Sequence, residues 1–487
     1  MLKIPPEVEA VVHTLEKQGF AAYVVGGCLR DLLLGSKPKD WDIATSSTPE
    51  QIIGLFPKTF YENKYGTVTV VNEDTSDETL KNIEVTPFRK ETNYSDKRHP
   101  DKVIFGVSLE DDLKRRDFTI NALSYSPSKG QIVDLYGGLK DIKDKIVRAV
   151  GAPEDRFAED ALRIMRAIRL ATQLNFTISH ETAEAVAKRA TDLNLIAAER
   201  IRDEFTKLIM SQNPLIGLAL GQKLGIWKQV LPELEEGVHV KQNSDHKYDV
   251  WEHTLRVAQH AADKNYALEV RLAGLFHDIA KPRAREWNQE KKDWTFYGHE
   301  VIGAKMAEKI MRRLKFPNKT TEAVRKLVRN HMFFSDIEKI TLSAVRRVIR
   351  NVGRELVWRL MEVRTCDRIG MGRPKETPYR LRKYQSMIEE ALRSPTSVSM
   401  LKINGHTIMQ ETGLNPGPKI GFITHVLLEE VLDKPELNTE EYLKNRAKEL
   451  AKLSDQELQQ LGKQGKEKKE EIEKAEIAKI RARFHVK

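Results

Sequence analysis

The residues of this chain best suited to chemistry begin with Asp40 and Asp42, which flank Trp41 in DWDIAT. Side chains alternate across a strand, so carboxylates two residues apart face one spot. There they repel each other unless a cation lies between them. Magnesium takes oxygen ligands and keeps room for phosphate oxygens, so the pair suits two-metal phosphoryl or nucleotidyl transfer. Just upstream, VVGGCLRDLLLG sets Gly26 and Gly27 where an apolar strand gives way to a helix. Backbone N–H groups at such a turn can receive a triphosphate, and Arg30 adds charge. Each feature alone has an ordinary explanation as a turn. Within a dozen or so residues of one another, they form a nucleotide-plus-metal constellation. Glu84, in NIEVTPFR on a later strand, is a candidate third carboxylate, although strand glutamates commonly face solvent.

Two further groups follow. LKRRDFTINAL places Arg115, Arg116, Asp117 and Asn121 around an expected helix start, where arginine suits phosphate and asparagine a ribose hydroxyl. Asp160, Arg163, Arg166 and Arg169 recur every third residue along what reads as one helix. An aspartate accepts from an exocyclic amine and an arginine donates to ring acceptors, so Asp160 and Arg163 together suit the edge of a base. Ion pairing within a helix explains the same spacing. Far downstream, His253, the doublet His277–Asp278 and Asp367 form an H…HD…D pattern, with His299 and His331 as ligands for a second metal. Imidazoles and carboxylates on neighbouring helices can bind a divalent transition metal that activates water. His260 reads as a surface or packing residue.

These groups need elements to position them. Residues 1–150 mix helical stretches with short β-rich runs: AAYVVGG, DWDIAT, GTVTVV, NIEVTPF and QIVDLYG. Thr48, Pro49 and Gln51 form a capping box that starts a helix after DWDIAT. From residue 151 onward apolar residues recur at helical spacing, as in EDALRIMRAIRLATQLNF. Beyond about residue 440 the chain is rich in Glu, Lys and Gln and reads as a solvated helix or frayed tail. The expected organisation is a head over 1–150, a helical neck and body with the nucleotide-selecting helix over 151–240, a metal-binding helical domain over 241–375, a helical tail over 376–445 and a charged extension over 446–487.

With 487 residues the chain exceeds what one core supports, so several domains are expected. A net charge of +10, from 81 basic and 71 acidic residues, fits an anionic partner such as RNA. No apolar run approaches the roughly 20 residues of a bilayer-spanning helix, and MLKIPPEVEAVVHTLEKQG lacks the apolar stretch of a secretory signal. A cytoplasmic location without membrane association is expected. Two cysteines, Cys28 and Cys366, exclude a disulfide framework and read as packing residues.

Taken in order, VVGGCLRDLLLG, DWDIAT, RRDFTINAL, EDALRIMRAIRLA and ERIRDEF resemble the motif set of the class II tRNA nucleotidyltransferases, much of which bacterial poly(A) polymerases share. The resemblance implies an α+β chain: a polymerase-β-like α/β nucleotidyltransferase head, then mostly α-helical neck and body, HD and tail domains. It implies catalytic metals, Mg2+, on Asp40 and Asp42, with Glu84 as a third catalytic carboxylate. Gly26, Gly27, Arg30 and Arg116 would contact the nucleotide, with Asp117 and Asn121 beside them. Asp160 and Arg163 would select C or A, Arg166 and Arg169 would support them, and Glu199, Arg200, Arg202 and Glu204 would brace the neck. FRKETNYSDKRHPDKV is similar to the family's flexible loop, with Tyr94, Asp96, Arg98 and Pro100 in place, which favours addition of the terminal A. LKINGHTIMQETGLNPGPKIGFITHVLLEEVLDKPELNTEEYL is similar to the tRNA-binding tail that poly(A) polymerases usually lack. His253, His277, Asp278 and Asp367 match HD-type phosphohydrolases, whose site takes a divalent transition metal. The expected activity is template-independent addition of CCA, from CTP and ATP, to the 3′ end of tRNA. Addition of A alone, or poly(A) synthesis, uses the same chemistry. A different class would be an HD phosphohydrolase acting on nucleotides or RNA ends.

Overall fold

The computed structural model describes residues 2–62, 66–92, 102–244, 246–332, 341–392, 401–458, 460–461 and 478–486. Tyr94, Asp96, Arg98 and Pro100 of the expected flexible loop, and the low-complexity stretch 462–474, lie outside them. The chain divides into two compact units, Met1–His331 with Glu362–Pro374, and Met332–Met361 with Lys375–Lys487.

In the first unit a seven-stranded mixed sheet runs in the order Thr59–Glu62, Thr67–Val71, Asn82–Pro87, Trp41–Thr45, Ala22–Val25, Leu123–Ser126, Gln131–Asp134. Neighbours are antiparallel except Trp41–Thr45 and Asn82–Pro87, which run parallel with Asp42 opposite Glu84. One face of this sheet buries Val24, Ile43, Val68 and Val85 against Val8, Val12 and Leu15 of helix Pro6–Lys17 and Ile52 of helix Pro49–Leu55. Cys28 lies in the same core. The capping box forms as the sequence predicts: Thr48 Oγ1 accepts from the Gln51 N–H at 3.4 Å, and Gln51 Oε1 from the Thr48 N–H at 2.8 Å.

Beyond the sheet and a few two-stranded pairs, the unit is helical. Leu162–Leu174 packs on Ala198–Ile209, and Val250–Asp263, Leu268–Phe276, His299–Arg313 and Asn318–Asn330 form a further helical group. Cys366 is buried against Val257 and Ala261.

Three expectations are corrected. The helix start expected around Arg115–Asn121 is a single 3-10 turn, Thr119–Asn121, that leads into the buried strand Leu123–Ser126. Asp160 does not share a helix with Arg163: it caps the C-terminal end of Pro153–Glu159 in an extended conformation, and the next helix begins at Leu162. Within the expected 241–375 domain, helix Leu342–Val352 packs on Tyr379–Leu392. The chain after residue 440 is not simply solvated: Leu443, Ala447 and Leu450 of helix Glu440–Leu450, with Leu458, close a core around Ile408, Ile423 and Leu427. A stripe that narrow is hard to see among charged neighbours, because one apolar residue per turn suffices to seat a helix on two others.

The Gly-Pro segment joins helices Gly405–Thr412 and Pro418–Asp433, with Gly413 at φ 70° closing the first and Pro418 opening the second. Lys419 donates to the Leu453 carbonyl at 2.7 Å.

Candidate active and metal sites

The head site is assembled at the adjoining ends of three strands. Asp42 is the second residue of Trp41–Thr45, Asp40 is exposed just before that strand, and Glu84 stands opposite Asp42 on the parallel neighbour. Parallel pairing in register puts the Asp42 and Glu84 side chains on one face. Burial and the adjacent Glu84 push the Asp42 carboxyl up to about 7, against the opposing pull of Arg116. That is the mark of a site with more negative charge than it can hold alone, and an oxygen-seeking dication is the group that relieves it.

Gly26 lies against this carboxylate. It ends the strand Ala22–Val25 at φ 78°, ψ −142°, outside the range open to L side chains, and a Cβ here would sit 3.1 Å from both Asp42 Oδ2 and Arg116 Nη1. The bare backbone therefore lets an arginine and a carboxylate approach one point. Arg30, on the helix that Gly27 opens, donates to Asn121 Oδ1 at 2.7 Å and pairs with Asp31 at 2.6 Å. Arg116 is held by Asp112 Oδ2 at 3.2 Å. Asp112, which sequence reasoning passed over, is buried and grips Arg115 as well, at 2.7 Å. Its signal was present, since it precedes the two arginines by three and four positions, one helical turn.

Asp117 is buried and faces inward: it accepts from Asn121 Nδ2 at 3.0 Å, from the Phe118 N–H at 2.8 Å and from Arg166 at 2.5 and 2.8 Å. Burial alone would raise its pKa, but Arg166 and Asn121 hold it well below the usual carboxylate range. Asp117 thus links the Arg30–Asn121 pair to the helix Leu162–Leu174. Along that helix Arg163 donates to Glu159 Oε2 at 2.7 Å and to the Arg115 carbonyl at 2.8 Å, while Arg169 pairs with Glu204 at 2.6 Å. Asp160 meets Arg200 Nη2 at 3.0 Å and accepts from the Leu162 N–H at 3.0 Å. Arg202 turns away, pairing with Asp203 and donating to the Lys315 carbonyl at 2.5 Å.

The second site lies among the helices. Two triads of buried ligand atoms converge, His253, His277 and Asp367, and Asp278, His299 and His331. Asp278 stands between them: Oδ2 is 3.2 Å from both His253 Nε2 and His277 Nε2, and Oδ1 is 3.4 Å from His299 Nε2 and 3.8 Å from His331 Nε2. The ring Nδ1 of His277, His299 and His331 each lies 2.7 Å from the carbonyl three residues earlier, Gly274, Phe296 and Val328. Each Nδ1–H donates to that carbonyl, which directs Nε2 into the cluster. Facing Nε2 atoms then lie 3.1 Å apart for His253 and His277 and 3.2 Å apart for His299 and His331. Opposed lone pairs at that range call for a cation or a proton between them, and these donors suit one or two divalent transition metals. Burial disfavours charge on His277, but Asp278 and Asp367 outweigh it and draw its pKa upward. Gly370 fits here because a Cβ would lie 2.4 Å from Val257 Cγ2 and 3.0 Å from His253 Nδ1.

Lys281, Gln242 and His246 were not singled out from sequence. Lys281 Nζ is 2.7 Å from Asp278 Oδ2, 2.6 Å from Gln242 Oε1 and 3.4 Å from His246 Nε2. Its place three residues after Asp278 was the available signal; the loop holding Gln242 and His246 gave none. His260, read as surface or packing, is buried.

Residues 22–148 match the family described as the Poly A polymerase head domain, residues 175–237 the "Probable RNA and SrmB- binding site of polymerase A", and residues 250–371 the HD domain. A CCA-adding enzyme of Levilactobacillus brevis is 33% identical over 435 residues, 86% of this chain and 92% of that protein. One from Lactiplantibacillus plantarum is 46% identical over 222 residues, a segment that spans 45% of this chain and 53% of the relative. Among solved structures, the Bacillus stearothermophilus CCA-adding enzyme in complex with CTP superposes with a TM-score of 0.58 at 28% identity, covering 92% of this chain and 98% of that one.

Proposed function

The chain belongs to the CCA-adding enzymes, and from that premise we propose how its own residues carry out template-independent addition of C, C and A to the 3′ end of tRNA. The observation that carries this reading is the register of Asp42 and Glu84 on paired parallel strands, with Asp40 beside them and the Gly26 turn pressed against Asp42 and Arg116. Asp40 and Asp42, with Glu84 beside them, would hold magnesium, which would supply the charge that makes a ribose hydroxyl acidic and offsets the charge on departing phosphate.

The turn at Gly26 and Gly27 leaves room for a triphosphate against the backbone, and Arg116 and Arg30 flank it. The 3′-hydroxyl oxygen of the RNA attacks the α-phosphorus of CTP or ATP. The bond from that phosphorus to its bridging oxygen breaks, pyrophosphate departs, and the hydroxyl proton passes to solvent. Asp160 accepts from the exocyclic amine that C and A share, and Arg163 donates to a ring acceptor. Selection of this kind needs both side chains rigid, and the pairs Asp160–Arg200 and Arg163–Glu159 give that support. A cytoplasmic location suits an enzyme acting on tRNA, and no helix among the described residues is long and apolar enough to cross a membrane.

The test is incorporation of labelled CTP and ATP, separately and together, into tRNA transcripts that lack CCA, lack only A, or are complete. Ordered growth to CCA followed by arrest is expected. Extension only of the transcript ending in CC would replace this reading with A addition, and untemplated runs of A would replace it with poly(A) synthesis.

A second activity is favoured by the buried cluster around Asp278. Its donors suit a transition metal able to activate water, whose oxygen would attack a phosphate monoester while the ester oxygen leaves with a proton. Phosphate release lost in Asp278→Ala and kept in Asp42→Ala is the expected signature; release equal in both variants would remove it.

A further inference from the structure

A cavity of about 630 Å³ opens beside the buried cluster, within the range of small-molecule sites. One wall is the loop that carries Gln242, His246 and Tyr248; the other is the hairpin of Glu286–Asn288 and Asp293–Thr295, which contributes Trp287 and Trp294. The loop is fastened to the hairpin at Ser244, whose N–H and hydroxyl both donate to Asp293 Oδ2, at 2.9 and 2.8 Å. The inner end is defined by Gln242 and His246: both bond Lys281, which bonds Asp278, and the His246 ring stands edge-on to His253 with centroids 5.7 Å apart. The inner end of the cavity therefore stands two hydrogen bonds, through Lys281, from the candidate metal ligand Asp278.

Its lining is aromatic and basic together. Lys241 and Lys247 are exposed at the mouth. Trp294 has the Arg285 guanidinium over its ring at 3.5 Å, and Tyr248 has that of Arg256 at 3.9 Å, so each already has a cation on one face. Trp287 meets Trp294 edge to face, with centroids 5.1 Å apart and planes at 76°, and remains 47% exposed. An indole fixed by a neighbouring ring yet open to solvent presents a flat platform, and a flat platform in a basic groove suits a heterocyclic base that carries a phosphate.

We propose that this cavity is a nucleobase subsite in which Trp287 stacks the base of a nucleoside monophosphate while its phosphate faces the Asp278 cluster. Lys281, bonded to Gln242, His246 and Asp278, lies between the two regions. The subsite makes the second activity selective for phosphates that carry a base over inorganic pyrophosphate or sugar phosphates. It rests on the phosphohydrolase reading for its reaction, though not for its binding.

The test compares adenosine monophosphate with ribose 5-phosphate, which differs by the base alone, on the full chain supplied with Mn2+. The wild type should show a KM about tenfold lower for adenosine monophosphate, the usual effect of one stacked base. Trp287→Ala should raise that KM to the ribose 5-phosphate value and leave kcat on ribose 5-phosphate unchanged, and Trp287→Phe should restore most of the difference. Equal KM values in the wild type, or an equal change for both substrates in Trp287→Ala, would overturn the subsite. If neither substrate is hydrolysed, the phosphohydrolase reading falls on its own. Calorimetry then decides the subsite, because adenosine monophosphate affinity that is the same in wild type and Trp287→Ala would overturn it.

Discussion

The head and the helical cluster both gather carboxylates around a place for metal, but they are braced by different means. In the cluster, three histidines are aimed by hydrogen bonds to carbonyls of their own helical turns, and every ligand is buried. Backbone bracing of this kind has one geometry. In the head, Asp40 is exposed, and the residues around the nucleotide site are braced by side-chain ion pairs: Arg116 with Asp112, Arg166 with Asp117, Arg200 with Asp160 and Arg169 with Glu204. Side-chain pairs can exchange partners at modest cost when a substrate offers phosphate or base atoms instead. Bracing of the first kind suits a resident ion, and bracing of the second suits a substrate that changes at each addition.

The sharpest way to break this contrast is a crossed pair of substitutions. Asp42→Ala should lower nucleotide incorporation about a thousandfold, the several kcal/mol that metal-borne charge stabilisation supplies, while the tightly bound metal measured by mass spectrometry stays the same. Asp278→Ala should do the reverse, and tightly bound metal surviving in Asp278→Ala would show that the cluster is not the resident site.

Asp117→Asn probes the bracing in the head. Loss of a buried carboxylate from Arg166 should cost about 2 kcal/mol, toward the low end for a buried pair because Arg166 reaches solvent. The folded-state pKa of Asp117 lies below the unfolded value of about 3.9. Its pairing therefore stabilises the protein above that value and is progressively lost as pH falls further. In denaturant titrations the wild type should lead the variant at pH 7 and the lead should shrink below about pH 4; a lead independent of pH would assign the cost to packing. Gly26→Ala, which places a Cβ 3.1 Å from Asp42 and Arg116 at a backbone angle that disfavours side chains, should reduce incorporation roughly tenfold to a hundredfold with little change in metal content.

Much of this contrast was legible in the chain itself, for physical reasons. The strand runs around Val24, Ile43, Val68 and Val85 stood out because one face of each is apolar, and the Thr48 box stood out because capping is local. The His277–Asp278 doublet stood out because few structural needs call for it. What could not be read was whatever depends on distant partners. The strand Leu123–Ser126 is buried on both faces and only four residues long, so its Leu-Ser-Tyr-Ser alternation is too short to stand out beside the helix start expected just before it. The break at Asp160 was hidden because an i, i+3 pattern continues across it while the backbone does not. The charged stretch after residue 440 concealed Leu443, Ala447 and Leu450 because its role as a lid on a core is set by helices Gly405–Thr412 and Pro418–Asp433. The wall of the cavity, Gln242, His246 and Trp287, comes from a loop and a hairpin more than forty residues apart, brought together by the Ser244–Asp293 clip.

The smallest expected effect bears most directly on how exchangeable bracing serves selection. Arg200 reaches across from helix Ala198–Ile209 to hold both oxygens of Asp160, at 3.4 and 3.0 Å, and both partners are partly exposed. Because Asp160 lies between two helices, its other tether is the Leu162 N–H, so Arg200→Ala should free the carboxylate to rotate without unfolding either helix. A rotating acceptor still takes a hydrogen bond from cytosine or adenine but no longer penalises a base that offers a carbonyl there. The expected result is therefore a loss of discrimination rather than of rate: the kcat/KM ratio of CTP to UTP should fall about tenfold, the worth of one well-placed base contact, with kcat on CTP little changed. Arg200→Lys, a point charge able to reach only one oxygen, should recover part of the ratio. Equal loss of rate on CTP and UTP would instead mean that Arg200 holds the neck together, and the distinction between a braced selector and a braced metal site would have to be drawn elsewhere.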